Sequence, residues 1–328
     1  MLIAADVGAT KTLCGLFEPG PGRPGLLESR AFATPAFADL AEMMAAFLDQ
    51  LGLPAGALEA ACFGVAGPVT GSTASLTNVP LVVDASALGE RLSIARVRLL
   101  NDLEAMALGV PVLEPSELDV LQPGHADPNG NLAVIAAGTG LGEASLRRVG
   151  GRLVPLASES GHADFAARTP AEIRILTELS RTFGRVDVEH VVSGPGLVNI
   201  HRALHPAGCA ESGAAADPAE IPSLISRAAL ERRCAHCLEA LDVFVSAYGA
   251  ESGNLALRTL ATGGVFIGGG IAPKILPALK SGRFLDAFRA KAPMEELLAA
   301  VPVAVILNEH AALVGAAVCA QQAAQAGA

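Results

Sequence analysis

The chain has 328 residues, 51% hydrophobic and 17% charged, with a net charge of −10, enough apolar material for two domains with buried cores. Its mean hydropathy is +0.45, yet Gly, Pro and charged residues break every long apolar run, which argues against a membrane span. The 23 Lys and Arg are scattered and form no basic stripe, which argues against nucleic acid as a partner.

The start, Met-Leu-Ile-Ala-Ala-Asp, lacks the basic region and cleavage site of a signal peptide and reads as the first core strand of a cytoplasmic protein. A meander is expected next: strand 2–5, a tight turn at Gly8, strand 12–17, a Pro/Gly turn at 19–22 and strand 26–31. Residues 36–52 carry Leu40, Met43, Met44, Phe47, Leu48 and Leu51 at helical spacing. Strands near 60–65 and 97–100 and a helix from 102 complete a first α/β domain, with the crossing near Pro111 to Pro115. Beyond it, 132–137, 143–148 and 153–156 read as short strands, and 170–183, 194–204, 222–232 and 234–250 as helices. Residues 263–270 form a strand bracketed by glycines, 303–306 another short strand, and 310–323 a terminal helix. The segments Ile3 to Thr10 and Val134 to Thr139 share a strand, Gly/Thr turn, strand pattern, a weak internal repeat pointing to pseudo-symmetric domains.

The six cysteines, at 14, 62, 209, 234, 237 and 319, fall mostly in apolar segments, the reduced usage of a cytosolic chain. Cys234-Ala235-His236-Cys237 has metal or redox spacing. However, Cys234, Cys237, Leu238, Leu241, Phe244, Val245 and Tyr248 fall at helical spacing, and with no second Cys pair nearby both thiols read as core.

Several segments carry chemistry. Ala5-Asp6-Val7-Gly8-Ala9-Thr10 and Gly138-Thr139-Gly140 each follow an apolar strand, as phosphate-cradling turns do. Glycines there allow close backbone approach, and the threonines add hydroxyl donors. Either turn alone is an ordinary hairpin; the pair, with Gly268, Gly269 and Gly270, points to a nucleotide. The apolar run Val97 to Leu100 ends on Asn101-Asp102 and turns helical, placing a carboxylate where an α/β enzyme puts a general base. A helix N-cap is the alternative reading of that pair. Asp6 suits Mg²⁺ or its waters better than a phosphate oxygen. Glu159, His162 and Glu189 offer hydrogen-bond acceptors suited to a polyol, or serve as structural donors and solvated charges.

As an ordered set, these motifs resemble the bacterial ATP-dependent glucokinases of the hexokinase/actin-like superfamily, nearly end to end. The matching segments are the Asp6 turn, Gly67-Pro68-Val69-Thr70-Gly71, Leu76-Thr77-Asn78, Asn101-Asp102, Gly138-Thr139-Gly140-Leu141-Gly142, Gly161-His162-Ala163-Asp164-Phe165, Ser193 to Asn199, Gly253 to Leu257 and Gly263 to Ile271. The resemblance implies an α/β, two-domain actin-like fold: a small domain of residues 1–112, joined by 303–328, and a large domain of residues 113–302, around a central cleft. It implies transfer of the ATP γ-phosphoryl group to the 6-hydroxyl of glucose with Mg²⁺, Asp102 as general base, and Asn101, Asp102, Glu159, His162 and Glu189 as sugar ligands. Ala5, Asp6, Val7, Gly8, Ala9, Thr10, Gly138, Thr139, Gly140 and Gly268 to Gly270 would hold ATP, and the chain would form a homodimer. Some residues depart from the pattern: Ala9-Thr10-Lys11 replaces Gly-Thr-Asn, Ser160 replaces a glycine, and Glu143 adds a carboxylate after the second turn. The related repressor/sugar-kinase branch, with other hexoses or amino sugars as substrates, usually has a Cys-rich zinc loop after its His, where this chain has Ala166-Ala167-Arg168-Thr169. A sugar-sensing regulator is the non-enzymatic alternative; Asp102 and the lack of an N-terminal helix-turn-helix weigh against it.

Overall fold

The computed structural model describes residues 1–53, 56–76, 81–213 and 217–326; Thr77 and Asn78 of the third matching segment lie outside them. Strands β1 (Leu2–Val7), β2 (Lys11–Glu18), β3 (Gly25–Ala33), β4 (Ala60–Val65) and β8 (Val97–Asn101) form a mixed sheet in the order β3-β2-β1-β4-β8. The first three are an antiparallel meander, and β1, β4 and β8 run parallel. Between β4 and β8 lie a small sheet of β5 (Val69–Thr70), β6 (Thr73–Ser75) and β7 (Val82–Asp84) and helix α2 (Ala85–Leu92), preceded by α1 (Leu40–Leu51) and followed by α3 (Asp102–Gly109).

Alternation along β1 explains how this sheet is covered. Ile3, Ala5 and Val7 join Leu40, Met43, Met44 and Phe47 of α1 in one core cluster. Leu2 and Ala4 join Ala105 of α3 and Leu313, Ala316 and Ala317 of the C-terminal helix Ala311–Gln325 in another. Neighbouring side chains on a strand point to opposite faces, so a continuous apolar run buries both. Asp39 caps α1 by accepting the Glu42 amide at 2.8 Å, so the helix starts at Leu40 and not at 36, as the periodicity suggested. Gly315 is required by the crossing of the C-terminal helix with α3: a Cβ there would lie 1.6 Å from the Ala105 carbonyl oxygen.

The second sheet has the order β12-β11-β10-β13-β14-β9, formed by β9 (Leu118–Gln122), β10 (Leu132–Ala137), β11 (Leu141–Val149), β12 (Arg152–Ser158), β13 (Gly264–Gly268) and β14 (Val303–Ile306). Helices α4 (Pro170–Phe183), α5 (Gly194–Leu204), α6 (Ile221–Leu230) and α7 (Ala235–Thr259) precede β13, and the short α8 (Leu276–Leu279), α9 (Arg283–Arg289) and α10 (Glu295–Ala300) follow it. The C-terminal helix is α11. Its core centres on α7, with Phe244 and Tyr248 fully buried. The sequence reading ends α7 at 250, but the helix runs nine residues further, to Thr259. Its interior glycines Gly249 and Gly253 are sites of close packing, where a Cβ would meet the carbonyl oxygens of Phe284 and Phe288 at 2.1 and 2.5 Å.

The chain divides into two compact units: residues 1–115, 153–157 and 308–328, and residues 116–152 and 158–307. The sequence reading begins the C-terminal return at 303. Strand β14 instead pairs with β13 and β9 in the second sheet, so the segment grouped with the first unit starts at Asn308.

Candidate active site

In the first unit, the candidate acids stand at the ends of parallel strands. Asp6 aligns with Gly64 on β4, and Gly64 aligns with Leu100 on β8, one residue before Asn101. Asp6 and Asn101 are therefore about two strand spacings apart, roughly 10 Å across the sheet. Gly64 lets α3 approach, since a Cβ on it would lie 2.9 Å from that of Ala105. The N-cap of α3 is Asn101: its Oδ1 accepts the Leu103 amide at 2.9 Å, and its Nδ2 donates to the Gly67 carbonyl at 3.2 Å. Glu104 closes a capping box on the Asn101 amide. Asp102 is the first helical residue, with Oδ1 held by the Leu103 amide at 3.0 Å. Asn101 is thus the cap, and the Asp102 carboxylate stands on the first residue of the helix.

The Asp6 turn is narrower than the sequence reading makes it. Ala5 and Val7 are completely buried and lie in the ladders to β2 and β4, so their backbone groups are already paired. Gly8 closes the turn by donating to Lys11 at 3.1 Å, while its carbonyl accepts the Thr34 hydroxyl at 2.7 Å. The tip, Ala9 and exposed Thr10, and the Asp6 carboxylate remain as candidate ligands. Burial pushes the Asp6 carboxyl above its ordinary value, with His310 and Lys11 opposing the shift. A carboxylate desolvated in this way fits a cation, which would restore the charge stabilisation that water no longer supplies.

In the second unit the turn between β10 and β11 is built against Glu189. Gly138 donates to Gly140 at 2.8 Å and accepts from the Gly194 amide at 2.8 Å. Glu189 Oε2 accepts the Leu141 amide at 2.8 Å, and a Cβ on Gly140 would sit 2.6 Å from that oxygen. The turn, the start of α5 and Gly270 line one cavity of about 570 Å³ with apolar walls from Val198, Pro222 and Ile275 and cationic groups from Arg202 and Lys274. Of the three glycines after β13, Gly268 is still in the sheet, paired with Ala136. Gly269 turns the chain at φ +81°, where a Cβ would meet the Ala137 oxygen at 2.4 Å; Gly270 alone reaches the cavity wall.

Glu159, His162 and Glu189 are brought together by two segments running side by side. The Glu189 amide donates to the Gly161 carbonyl and the Val188 amide to that of Ala163, both at 2.9 Å. Asp164 and Asp187 form an antiparallel bridge. Gly161 passes so close to β11 that a Cβ would lie 2.0 Å from the Leu141 oxygen. His162 is half exposed, and its Nδ1 lies 3.4 Å from Oδ2 of buried Asp187. Asp187 also holds the His190 amide at 3.0 Å. Asp187, which no sequence motif marks, orients the ring by occupying one nitrogen and leaving Nε2 for a ligand. Ser160 turns toward Ser158, with the two hydroxyls 2.5 Å apart. Glu143 is fully buried, and among the described residues neither carboxylate oxygen has a well-formed hydrogen bond. Burial first, then neighbouring Glu251, pushes its carboxyl up to about 8, against the pull of Arg258.

A family model described as Glucokinase matches residues 3–323. The chain belongs to the glucokinase family. A glucokinase of Synechocystis is 38% identical, with 98% of each chain covered; one from Stenotrophomonas maltophilia is 37% identical over 96% of this chain and 93% of its own. The crystal structure of a glucokinase from an Antarctic psychrotroph superposes with a TM-score of 0.86 at 30% identity, covering 98% of both chains. A glucokinase of the ROK family from Streptomyces griseus, in complex with glucose and AMPPNP, shares the fold at 21% identity and a TM-score of 0.65, covering 98% of this chain and 99% of its own. The glucokinase family fold is the two-domain, actin-like α/β fold expected from the sequence.

Proposed function

We propose that this member of the glucokinase family transfers the γ-phosphoryl group of ATP to the 6-hydroxyl of glucose, with Asp102 as general base. The observation that carries the role of Asp102 is the capping of α3 by Asn101, with the Asp102 carboxylate at the end of β8 accepting the Leu103 amide. The sugar oxygen attacks the γ-phosphorus, Asp102 takes the hydroxyl proton, and the bond to the bridging oxygen of ADP breaks, giving glucose 6-phosphate and ADP. Such proton acceptance contributes about 10²–10⁴-fold in rate.

Asn101, Glu159, His162 and Glu189 hold the remaining sugar hydroxyls, and Asp187 keeps His162 oriented. The Gly138 turn, the N-terminus of α5 and Gly270 receive the nucleotide in the 570 Å³ cavity, with the positive end of the α5 dipole toward phosphate. Thr10 and the tip of the first turn supply further donors. Asp6 would hold Mg²⁺, directly or through water, and the ion would neutralise charge developing on the transferred phosphoryl group. No described helix is long and apolar enough to cross a membrane, and the unpaired cysteines support a cytoplasmic setting. The homodimer implied by the resemblance is part of this reading. A coupled ATP assay across a panel of hexoses tests it: glucose should give the highest kcat/KM, and fructose outperforming glucose would reject it.

A further inference from the structure

Apart from the residues assigned above, the second unit gathers a set of soft ligands. His201 lies on the last turn of α5, Cys209 in the turn that follows, and Cys234 and Cys237 at the N-cap and first turn of α7. The Cys209 sulfur is 3.4 Å from His201 Nε2 and 3.6 Å from the Cys237 sulfur, and these three ligand atoms all lie within 4.8 Å of one another. Cys234, three residues before Cys237 at the N-cap of α7, stands outside that triad of atoms. Helical phasing alone presents Cys234 and Cys237 as core residues; tertiary packing brings the Cys209 turn and His201 against them.

We infer that His201, Cys209, Cys234 and Cys237 form a structural site for a soft divalent cation, Zn²⁺. With sulfur at about 2.3 Å and nitrogen at about 2.0–2.1 Å from a tetrahedral zinc, neighbouring ligand atoms stand roughly 3.5–3.8 Å apart. The observed 3.4 and 3.6 Å are close to those edges without a change of backbone. His201, Cys209 and Cys237 supply three ligands, and Cys234 supplies the fourth once its side chain turns toward them; a Cys₃His set closes the coordination shell, which is the pattern of a structural site. Cys234 and Cys237 sit at the start of a 25-residue helix whose N-cap side chain makes no capping bond. The Ser212 amide donates to the Cys209 sulfur at 3.4 Å. Arg233, next to Cys234, is ion-paired with Glu211, two residues past Cys209, which ties the cysteine turn to the start of α7. His201 and Cys237 are at most 1% exposed, so a bound ion would be shielded from chelators. The site anchors the last turn of α5, the helix whose first turn lines the nucleotide cavity.

The test uses the full-length chain, purified reduced and without chelator, then loaded with Zn²⁺ or Co²⁺. The inference expects about one zinc per chain by elemental analysis. With Co²⁺ it expects intense visible d–d bands and a sulfur-to-cobalt charge-transfer band of a tetrahedral thiolate site. Cys209→Ala is the main variant, because Cys209 is only half-buried on a turn and its loss spares the core. It should weaken zinc binding at least about 100-fold, more than loss of an outer partner does, and abolish the charge-transfer band contributed by its sulfur while circular dichroism stays native. Cys237→Ser should behave alike, with a lower Tm. Failure of the reduced chain to bind stoichiometric metal would overturn the inference. So would unchanged affinity in Cys209→Ala, or a Cys209–Cys237 disulfide as the resting state by mass spectrometry.

Discussion

Replacing Glu143 with Gln should make the protein more stable, by an amount that grows with pH. Glu143 is fully buried beside Glu251, and its carboxyl, ordinarily near 4.5, is raised to about 8. Between those values the folded chain keeps a proton that the unfolded chain gives up. Wild-type stability therefore falls as pH rises from about 4.5 to about 8 and levels off above, whereas Gln has no proton to lose. Each pH unit is worth about 1.4 kcal/mol, so by pH 7 the difference approaches about 3 kcal/mol, an upper bound because Arg258 and Gln's own buried amide take part of it. For a unit of this size 1 kcal/mol corresponds to roughly 2–4 °C in Tm. Thermal melts of both proteins across pH 5 to 8 should show E143Q gaining at least about 4 °C at pH 7.5, with the gap closing toward pH 5. A gap independent of pH, or one that widens in acid, would refute the reasoning.

Other expectations follow from single contacts. Gly161→Ala must displace the loop carrying His162, because its Cβ would lie 2.0 Å from the Leu141 oxygen; steady-state kinetics should show glucose KM rising at least about tenfold. Glu159→Ala should raise KM for glucose far more than for ATP. Glu189→Ala should raise both, since Glu189 also holds the Leu141 amide of the Gly138 turn; an unchanged ATP KM would separate Glu189 from that turn. Gly315→Ala should lower Tm by several degrees, because its Cβ would meet the Ala105 oxygen at 1.6 Å, and a wild-type melt would contradict the tight crossing of α3 and α11.

Local pattern carried much of this structure. The meander, α1 and the strands before both Gly/Thr turns were legible because alternation and helical spacing report burial directly. Asn101-Asp102 was legible as a strand-to-helix junction, but which residue caps and which faces a substrate depends on a one-residue shift in where α3 starts. Ala5 and Val7 read as ligands because a motif does not show that its first half is consumed by ladders on both sides. Asp187 left no signal, since it acts through His162, 25 residues away. His201, Cys209, Cys234 and Cys237 are likewise assembled by packing of α5 against α7, which a periodicity reading of either helix omits. Glu143 lies in a run of buried residues of β11 from Glu143 to Leu146, and the Glu251 and Arg258 charges that act on it come from α7, more than 100 residues on, which a local pattern does not report.

The most direct test of the central claim is the turnover of Asp102→Asn with ATP and glucose, alongside glucose affinity by calorimetry or intrinsic fluorescence of Tyr248. Asn keeps the shape and a hydrogen bond at the start of α3 but cannot accept the hydroxyl proton. The account predicts a kcat lower by at least about 10²-fold with glucose binding still measurable. Turnover near the wild-type value in a variant that binds glucose normally would contradict it.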